Sequence, residues 1–346
     1  MYQATEFSPM ISFVWDDKNP MYSGRGGTEN VIAGQIRELT LMGIDARVIT
    51  INVEEKIGNK FFPDIEFLEL DDHSALASLE DTIVFINIPS KVKTRKRSFV
   101  FFHSPPSDQP ELKNVYQEKY SDKSLIVASH FTQKSASQYL SVPENEISVV
   151  YPFADENFGE MQRPKQTSEK PSIIFAGRLD PEKGIFLFLE MIHQLTMKDD
   201  FLFTATNAGN QGDEGPAIEK MLIANPYVTV VPSLNTPKEM AELLVQHQIL
   251  VMPSSSFYWH EAFGMLSVEA QHAGCYVVAT DDGGLPETDC GGLTLFEPGN
   301  ALSFAQTIQK VAQLPPVEYE ERAMRAKRFT RRESVMQLLD VLEIQR

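Results

Sequence analysis

The sequence is poor in cysteine and has no long apolar run. Its 346 residues include only Cys275 and Cys290, too few for a disulfide-stapled scaffold or an all-cysteine zinc site. The opening residues, MYQATEFSPM, lack the basic and apolar regions of a signal peptide, and no run approaches the ~18 apolar residues of a membrane span. These absences predict a cytoplasmic protein in a reducing compartment.

Basic residues are also scarce relative to acidic ones. Lys and Arg number 31 against 48 Asp and Glu, which gives a formal net charge of −17. A surface this acidic repels phosphate backbones and anionic lipids, so we expect no nucleic-acid binding and at most weak peripheral membrane contact. A basic cluster at residues 91–97 (KVKTRKR) is most simply a solvated loop, and the alternative is a contact with a charged acceptor or lipid headgroups.

Apolar runs of four to six residues alternate with amphipathic stretches along the whole chain. This alternation predicts an α/β fold of repeated βαβ units with parallel sheets. The predicted strands are residues 10–15, 46–51, 65–70, 83–88, 98–102, 125–128 and 147–151 in the first half, and 173–176, 201–206, 228–231, 249–252, 276–279 and 293–296 in the second.

A polar segment, residues 159–171 (GEMQRPKQTSEKP), separates the two halves. It contains no large aliphatic residue except Met161, so we interpret it as an interdomain linker. The predicted domains are residues 1–158 and 172–330, followed by a C-terminal helix over 331–346 that could pack back on the N-terminal domain. Two sheets joined by a short linker leave a cleft, and open α/β sheets bind ligands at the carboxyl ends of their strands.

The first candidate site is a glycine-rich turn, residues 24–29 (GRGGTE), which opens a helix predicted over residues 28–42. Gly26 and Gly27 would let backbone N–H groups approach an anion at the helix N-terminus. The turn does not match the dinucleotide fingerprint, which needs a third glycine at the position of Glu29, and it does not match the P-loop. A tight strand-to-helix turn without a ligand is an equal alternative.

The second candidate is residues 177–184 (GRLDPEKG), again between a predicted strand and a helix. Arg178 and Lys183 leave one short loop, so both cations can converge on one anionic group, for which a diphosphate is the natural ligand. The alternative is a surface network that pairs Arg178 with Asp180 and Glu182 with Lys183.

The third candidate is residues 253–270 (PSSSFYWHEAFGMLSVEA), which follow the strand at 249–252. A helix is predicted from about Gly264 to His272, with Glu261 ahead of it and Glu269 within it. The ~12 Å rise of eight helical residues is about the reach between a hexose hydroxyl and the ribose of a nucleotide sugar. Carboxylates suit both ends because each accepts two hydrogen bonds from vicinal hydroxyls. Solvated helix-end charges are the alternative.

The last candidate residue is a lone histidine, and the sequence contains neither of two common metal-binding motifs. His103 ends the strand at 98–102, where it would face the cleft opposite Glu261 and touch the transferring sugar; a structural histidine is the alternative. Neither His-x-x-x-His nor Asp-x-Asp occurs, so no metal or other cofactor is expected. Protein cations and helix dipoles must then neutralise a leaving diphosphate.

Taken together, these residues resemble the retaining nucleotide-sugar glycosyltransferases of family 4. The matching segments appear in the family's order at residues 26–29 (GGTE), 177–184 (GRLDPEKG), 261–270 (EAFGMLSVEA) and 283–287 (GGLPE). The resemblance implies the GT-B architecture, in which two Rossmann-like, doubly wound α/β domains face each other across a cleft.

The resemblance also implies roles for individual residues. Arg178 and Lys183 would bind the donor diphosphate, Glu261 the hydroxyls of the donor sugar, and Glu269 the ribose. His103 would lie near the reacting sugar, so that His103, Arg178, Lys183 and Glu261 form the catalytic set. The donor cradle would be completed by Gly26, Gly27 and the backbone N–H groups of Phe263, Gly264 and Met265, with the base held around residues 231–235.

The chain departs from the family pattern in two places. Six residues, 255–260, stand between Ser254 and Glu261, which is more than the family commonly has. This insertion could line the acceptor site or cap the cleft. Residues 149–155 (VVYPFAD) replace the usual Pro-Asn-Gly-Val-Asp, which loosens the match near the domain boundary.

The sequence thus predicts a metal-independent retaining glycosyltransferase. It would move a hexose from a nucleoside diphosphate sugar, with UDP as the default, to a hydroxyl acceptor on a glycan, a lipid-linked glycoside or a small-molecule glycoside. A non-hydrolysing nucleotide-sugar epimerase on the same fold is the alternative, and a non-catalytic sugar-binding module is a third interpretation.

Overall fold

The computed structural model describes residues 10–15, 27–51, 62–106, 113–114, 118, 120–164, 170–207, 213–234, 236–257 and 259–344. The chain forms two compact units. The first is formed by two segments of the chain, one that ends at Pro152 and one that begins at Arg331. The second runs from Phe153 to Thr330. No helix in the described ranges is both long and apolar enough to span a bilayer.

The first unit is built on a sheet whose seven described strands are all parallel. They are β1 (Ile11–Trp15), β2 (Ala46–Ile51), β3 (Phe67–Leu70), β4 (Thr82–Ile86), β5 (Ser98–Phe102), β6 (Lys123–Val127) and β7 (Ile147–Val149). Their order in the sheet is β3-β2-β1-β4-β5-β6-β7. The described helices of this unit are α1 (Gly27–Leu41), α2 (His130–Leu140) and the C-terminal α10 (Arg331–Leu342).

Both faces of this sheet are buried, which explains its mostly apolar strands. In β1, Ile11 and Phe13 belong to a core shared with α1 and α10, whereas Val14 belongs to the core on the opposite face, shared with α2. Successive strand residues point to opposite faces, so a sheet covered by helices on both sides needs apolar residues at every position. The buried amide of Gln35 in α1 donates to Ser334 Oγ of α10 and fixes that helix in register.

The second unit repeats this plan with six described parallel strands. They are β8 (Ser172–Gly177), β9 (Leu202–Asn207), β10 (Val228–Val231), β11 (Ile249–Met252), β12 (Tyr276–Thr280) and β13 (Leu293–Phe296), in the order β10-β9-β8-β11-β12-β13. Its helices are α3 (Glu156–Glu160), α4 (Ile185–Gln194), α5 (Gly215–Ala224), α6 (Pro237–Leu244), α7 (Met265–His272), α8 (Ala301–Val311) and α9 (Tyr319–Arg325).

Strand order places the candidate loops of the second unit side by side. β8 and β11 are hydrogen-bonded neighbours, while the chain leaves β8 toward β9 on one side and leaves β11 toward β12 on the other. The carboxyl ends of β8 and β11 therefore form the topological switch point, where doubly wound sheets bind ligands. The loop that carries Arg178 follows β8, and the loop that carries Glu261 follows β11.

The predicted α/β fold of two doubly wound parallel sheets is confirmed. Each predicted strand is present, with small shifts at its ends. β4, for example, ends at Ile86 and not at residue 88, because Asn87 has a φ of 59° in the left-handed region and turns the chain out of the sheet.

The boundary between the units lies ahead of the predicted linker. Phe158 is buried in the second unit, and its carbonyl accepts a hydrogen bond from Arg322 Nη2 at 2.8 Å. Arg163 donates to the carbonyls of Gly274 and His247. These bonds attach the described part of the polar segment to the second unit.

Candidate active site

An ion pair joins the two loops at the switch point of the second unit. Lys183 Nζ lies 2.6 Å from Glu261 Oε1, and Ser254 Oγ donates to the same oxygen at 2.9 Å. Lys183 comes from the loop after β8, whereas Ser254 and Glu261 come from the loop after β11. Lys183 is far in sequence from Ser254 and Glu261, but the ends of β8 and β11 are neighbours and bring these side chains together.

Arg178 belongs to the same cluster of charges. Its guanidinium pairs with the Glu182 carboxylate, and its Nη1 lies 3.9 Å from Asp180 Oδ2. Arg178 also contributes to the electrostatic environment of Glu261. The structure therefore brings Arg178, Lys183 and Glu261 together, as the sequence predicts for the first two.

The loop after β8 is a tightly turned segment. Asp180 accepts a hydrogen bond from the Glu182 N–H and caps a 3₁₀ turn over Pro181–Lys183, while Leu179 is buried beneath it. Gly184 ends this turn with a φ of 74°, and a Cβ there would overlap the Pro253 carbonyl oxygen. A glycine is therefore required both by the backbone conformation and by the close approach of the neighbouring loop.

A pair of glycines in the loop after β12 supports the backbone of Glu261. The Gly284 N–H donates to the Glu261 carbonyl at 2.7 Å. A Cβ on Gly283 would lie 2.6 Å from the same oxygen, and one on Gly284 would overlap the carbonyl of Ala262. The glycines of the segment at 283–287 thus allow two loops to pack backbone against backbone.

The environment of Glu261 favours its charged form. Burial opposes ionisation of this carboxyl, but the Lys183 ammonium, the Ser254 hydroxyl and the Arg178 guanidinium outweigh burial and hold its pKa below the usual value. Glu261 is therefore a carboxylate at neutral pH, and its second oxygen, Oε2, can accept hydrogen bonds from hydroxyl groups.

Helix α7 begins where the sequence predicts. Gly264 precedes it with a φ of 102°, and a Cβ on Gly264 would lie 2.6 Å from Leu285 Cδ2. No side chain caps the helix start at Met265, so the positive end of its dipole is left without a protein carboxylate at the cap position. Phe263, just ahead of it, is buried with its ring centroid 5.2 Å from that of Phe329.

Glu269 lies in the second turn of α7, apart from the cation cluster. Burial and the negative charge of Asp155 raise its pKa to about 7. The backbone carbonyl of Glu269 accepts from the Ala273 N–H, and its side-chain carboxyl makes no hydrogen bond to the described residues. A half-buried carboxyl without a protein partner is suited to accept or donate hydrogen bonds to ligand hydroxyls.

His103 lies in the first unit at the carboxyl end of β5. Its backbone N–H donates to Asn87 Oδ1 at 2.8 Å, and its ring centroid lies 4.2 Å from that of Phe101. Burial lowers its pKa to about 3, so the imidazole is neutral. The ring Nε2 is buried and has no hydrogen-bond partner in the part of the chain that is described.

Two other predicted positions are only partly described. Gly27 is the first residue of α1, whereas Gly26 lies outside the described residues, as does Tyr258 within the insertion at 255–260. In the predicted base-binding segment, Val231 ends β10, the edge strand two positions from β8. Residues 232–234 follow that strand, and Asn235 is outside the described ranges.

Sequence reasoning did not anticipate several supporting residues. Ser254 binds Glu261 as described above, and His260 Nδ1 lies 2.6 Å from Asp282 Oδ2. The fully buried Gln271 donates to the Thr288 carbonyl and accepts from the Cys290 N–H, which ties α7 to the segment after β12. The sequence offered one signal of these contacts, which is a polar glutamine at a position of α7 where an apolar residue is expected.

The basic cluster at residues 91–97 is largely neutralised by carboxylates. Lys91 pairs with Glu118, Arg95 pairs with Glu80, and Arg97 Nη1 lies 2.6 Å from Glu343 Oε1. These pairs support the simpler interpretation of the cluster as a solvated loop. Among the described residues, no group of three or more His, Cys, Asp or Glu side chains is arranged to hold a metal ion.

Comparison with known proteins identifies the family. The family model of glycosyl transferases group 1 matches residues 158–332, just over half of the chain. Lipopolysaccharide 1,2-N-acetylglucosaminetransferase of Salmonella typhimurium is 25% identical over 263 residues, which are 70% of this chain and 66% of that protein. The match thus spans just under two thirds of that relative's length.

Solved structures share the fold along nearly the entire chain. A glycosyltransferase from Rickettsia africae has a TM-score of 0.75 at 18% identity, over 97% of this chain and 98% of that one. Anabaena HepE, crystallised with UDP-glucose, has a TM-score of 0.71 at 16% identity, over 97% of this chain and 100% of that one. The chain therefore belongs to the glycosyl transferases group 1 family and has the GT-B fold.

Proposed function

We propose that this protein is a glycosyltransferase that retains anomeric configuration and transfers a hexose from a nucleoside diphosphate sugar, preferably a UDP-sugar, to a hydroxyl of a glycan acceptor. The observation that carries the proposal is the cluster of Arg178, Lys183 and Glu261 at the switch point. Two cations and a neighbouring carboxylate suit a donor that combines a diphosphate with a hydroxyl-rich sugar.

The donor diphosphate would lie against Arg178, Lys183 and the start of α7. The arginine offers a planar fork of donors, the lysine a point charge, and the helix start its unpaired N–H groups. These groups are fixed before the reaction, so they stabilise the negative charge that develops on the departing diphosphate. In this proposal these groups, and not a metal ion, neutralise the charge of the departing diphosphate.

The sugar and the ribose would lie at opposite ends of the diphosphate. Glu261, ionised and held by Lys183 and Ser254, would accept hydrogen bonds from sugar hydroxyls. Glu269, with its pKa raised to about 7, would bind the ribose hydroxyls. We also propose that the neutral imidazole of His103 hydrogen-bonds to the reacting sugar.

Transfer would proceed on one face of the sugar. The bond between the anomeric carbon and the diphosphate oxygen breaks, and the acceptor oxygen bonds to the same carbon from the face that the diphosphate leaves. The acceptor proton passes to the departing phosphate oxygen. This route needs no protein nucleophile, and it leaves Arg178, Lys183 and the start of α7 to stabilise the leaving group.

The acceptor proposal rests on the relatives. The Salmonella relative is a lipopolysaccharide N-acetylglucosaminetransferase, and Anabaena HepE was crystallised with UDP-glucose. We therefore propose a UDP-hexose or UDP-N-acetylhexosamine as donor and a lipopolysaccharide-type oligosaccharide as acceptor.

A donor screen followed by a transfer assay tests the proposal. Thermal-shift measurements with UDP-, GDP- and ADP-sugars should show one base giving the largest stabilisation, since a ligand at 100 times its Kd adds about 2.7 kcal/mol. With that donor, nucleoside diphosphate should be released on addition of acceptor, and chelator should leave the rate unchanged. Conversion of the donor to an epimer without acceptor would contradict transfer and indicate an epimerase instead.

A further inference from the structure

The charged side chains at the switch point carry a net negative charge, which disfavours the binding of an anion. Two cations, Arg178 and Lys183, face three carboxylates, those of Asp180, Glu182 and Glu261. The cluster therefore has one more negative than positive charge, and a nucleoside diphosphate brings further negative charge. A bound diphosphate would therefore compete with these carboxylates for the two cations.

The three carboxylates differ in how firmly they are held. Glu261 is bound by both Lys183 and Ser254, and the environment keeps its pKa low. Asp180 accepts the Glu182 N–H at 3.3 Å and thereby caps its turn, while it lies 3.9 Å from Arg178. The Glu182 carboxylate contacts Arg178 and no other group among the described residues.

The backbone of Glu182 is fixed independently of its side chain. Its carbonyl accepts a hydrogen bond from the Ser255 N–H at 2.8 Å, which connects the loop after β8 to the loop after β11. The carboxylate can therefore turn away from Arg178 by rotation about side-chain bonds, without any change in the loop.

We propose that Glu182 is the counter-anion that a bound diphosphate displaces from Arg178. The inference rests on the proposed function, since it takes the diphosphate to bind at Arg178. By competing for the guanidinium, Glu182 weakens the binding of nucleoside diphosphate and speeds the release of this product after transfer. Glu182 is thus a residue that sets affinity and turnover without touching the sugar.

Calorimetric titration with UDP provides the test. Glu182→Gln keeps the shape of the side chain and removes its charge, so the Kd for UDP should fall roughly three- to tenfold, the effect expected for a partly buried ion pair. Glu190→Gln is the matched control, because Glu190 is an exposed residue of α4 with no ion pair among the described residues. Its Kd for UDP should stay within about twofold of that of the unmodified protein.

A double-mutant cycle separates competition from a general charge effect. In an Arg178→Gln background, Glu182→Gln should change the Kd for UDP by less than about twofold, because no guanidinium remains to compete for. Glu182→Ala should tighten UDP binding as Glu182→Gln does, and it replaces that variant if the glutamine variant does not fold.

The outcomes distinguish this inference from the proposed function. Unchanged or weaker UDP binding by both Glu182 variants would overturn the inference and show that Glu182 positions Arg178 instead. An equal gain in Glu190→Gln, or in the Arg178→Gln background, would also overturn it. If the unmodified protein and every variant bind none of UDP, GDP and ADP, the proposed function fails and the inference fails with it.

Discussion

Lys183 and Glu261 are 78 positions apart in the sequence, yet Lys183 Nζ and Glu261 Oε1 lie 2.6 Å apart at the carboxyl ends of β8 and β11. Because those two strands are neighbours, the ion pair joins the two loops that meet at the switch point of the sheet. The same pair lowers the pKa of Glu261, which Arg178 also lowers, so it organises the proposed donor site.

Removal of either partner of this pair should abolish most of the activity. Lys183→Ala removes a cation from the proposed diphosphate site, and Glu261→Ala removes the acceptor for the sugar hydroxyls. Each should lower turnover by ~10² or more, the loss typical of a removed charge-stabilising group. Steady-state kinetics with the donor found by thermal shift measure this loss.

The control for this experiment is Lys310→Ala, which removes an exposed lysine from the last turn of α8. Its turnover should stay within about twofold of that of the unmodified protein. Full activity in Lys183→Ala or Glu261→Ala would remove the assignment of these residues to the site.

The raised pKa of Glu269 should make the stability of the protein depend on pH. In the unfolded chain this carboxyl ionises near its usual pKa of 4.5, whereas in the folded protein it holds its proton up to about 7. Stability is therefore lost as pH rises between these two values. Glu269→Gln should remove this loss and raise the free energy of unfolding at about pH 8 by roughly 1–3 kcal/mol.

Urea denaturation of Glu269→Gln and of Glu190→Gln at about pH 4 and about pH 8 measures this difference. At the lower pH, Glu269→Gln and the unmodified protein should have the same stability, because Glu269 is then protonated in both states. The gain in stability should come with weaker UDP binding, since Glu269 is proposed to bind the ribose. A stability difference that does not change with pH would contradict the burial of Glu269 in its neutral form.

Two glycines with similar backbone conformations should respond differently to the same substitution. Gly184 has a φ of 74° and Gly299 a φ of 69°, so Gly→Ala introduces comparable backbone strain at both, of about 1 kcal/mol. A Cβ at Gly184 also overlaps the Pro253 carbonyl oxygen, whereas nothing lies within 4 Å of one at Gly299.

Gly184→Ala should therefore lower the free energy of unfolding by roughly 3 kcal/mol or more and reduce turnover, because Pro253 leads into the loop that carries Ser254 and Glu261. Gly299→Ala should lose only about 1 kcal/mol and keep its turnover. Equal losses of stability in the two variants would show that the loops after β8 and β11 do not pack as closely as described.

His103 should remain neutral over the physiological range of pH. Burial lowers its pKa to about 3, so its imidazole should show no titration between about pH 5 and about pH 8. Nitrogen NMR of labelled histidine, with the His103 signal assigned by its loss in His103→Gln, measures this directly. A titration midpoint near 6.5, the value of an unperturbed histidine, would contradict the burial of its ring.

Local sequence patterns predicted most of the secondary structure. Apolar runs predicted every strand because both sheets are covered on both faces, and Gly264 predicted the start of α7 because a left-handed glycine precedes that helix. The placement of Arg178 and Lys183 in one loop followed from their spacing. These features depend on residues close in sequence, where periodicity and turn chemistry are informative.

Contacts between distant segments could not be predicted in the same way. Pairing of Lys183 with Glu261, and not with Glu182, depends on the order of strands in the sheet. The second unit begins at Phe153, and the bond from Arg322 to Phe158 within it joins residues far apart in sequence, which no local composition indicates. Such contacts require the relative positions of strands that periodicity alone does not provide.

A crystal structure of the protein with UDP bound tests the central claim most directly. The account predicts that the diphosphate lies within hydrogen-bond distance of Arg178 and Lys183, that the ribose hydroxyls contact Glu269, and that the phosphates face the start of α7. UDP bound elsewhere, with Arg178 and Lys183 making no contact to its phosphates, would contradict it.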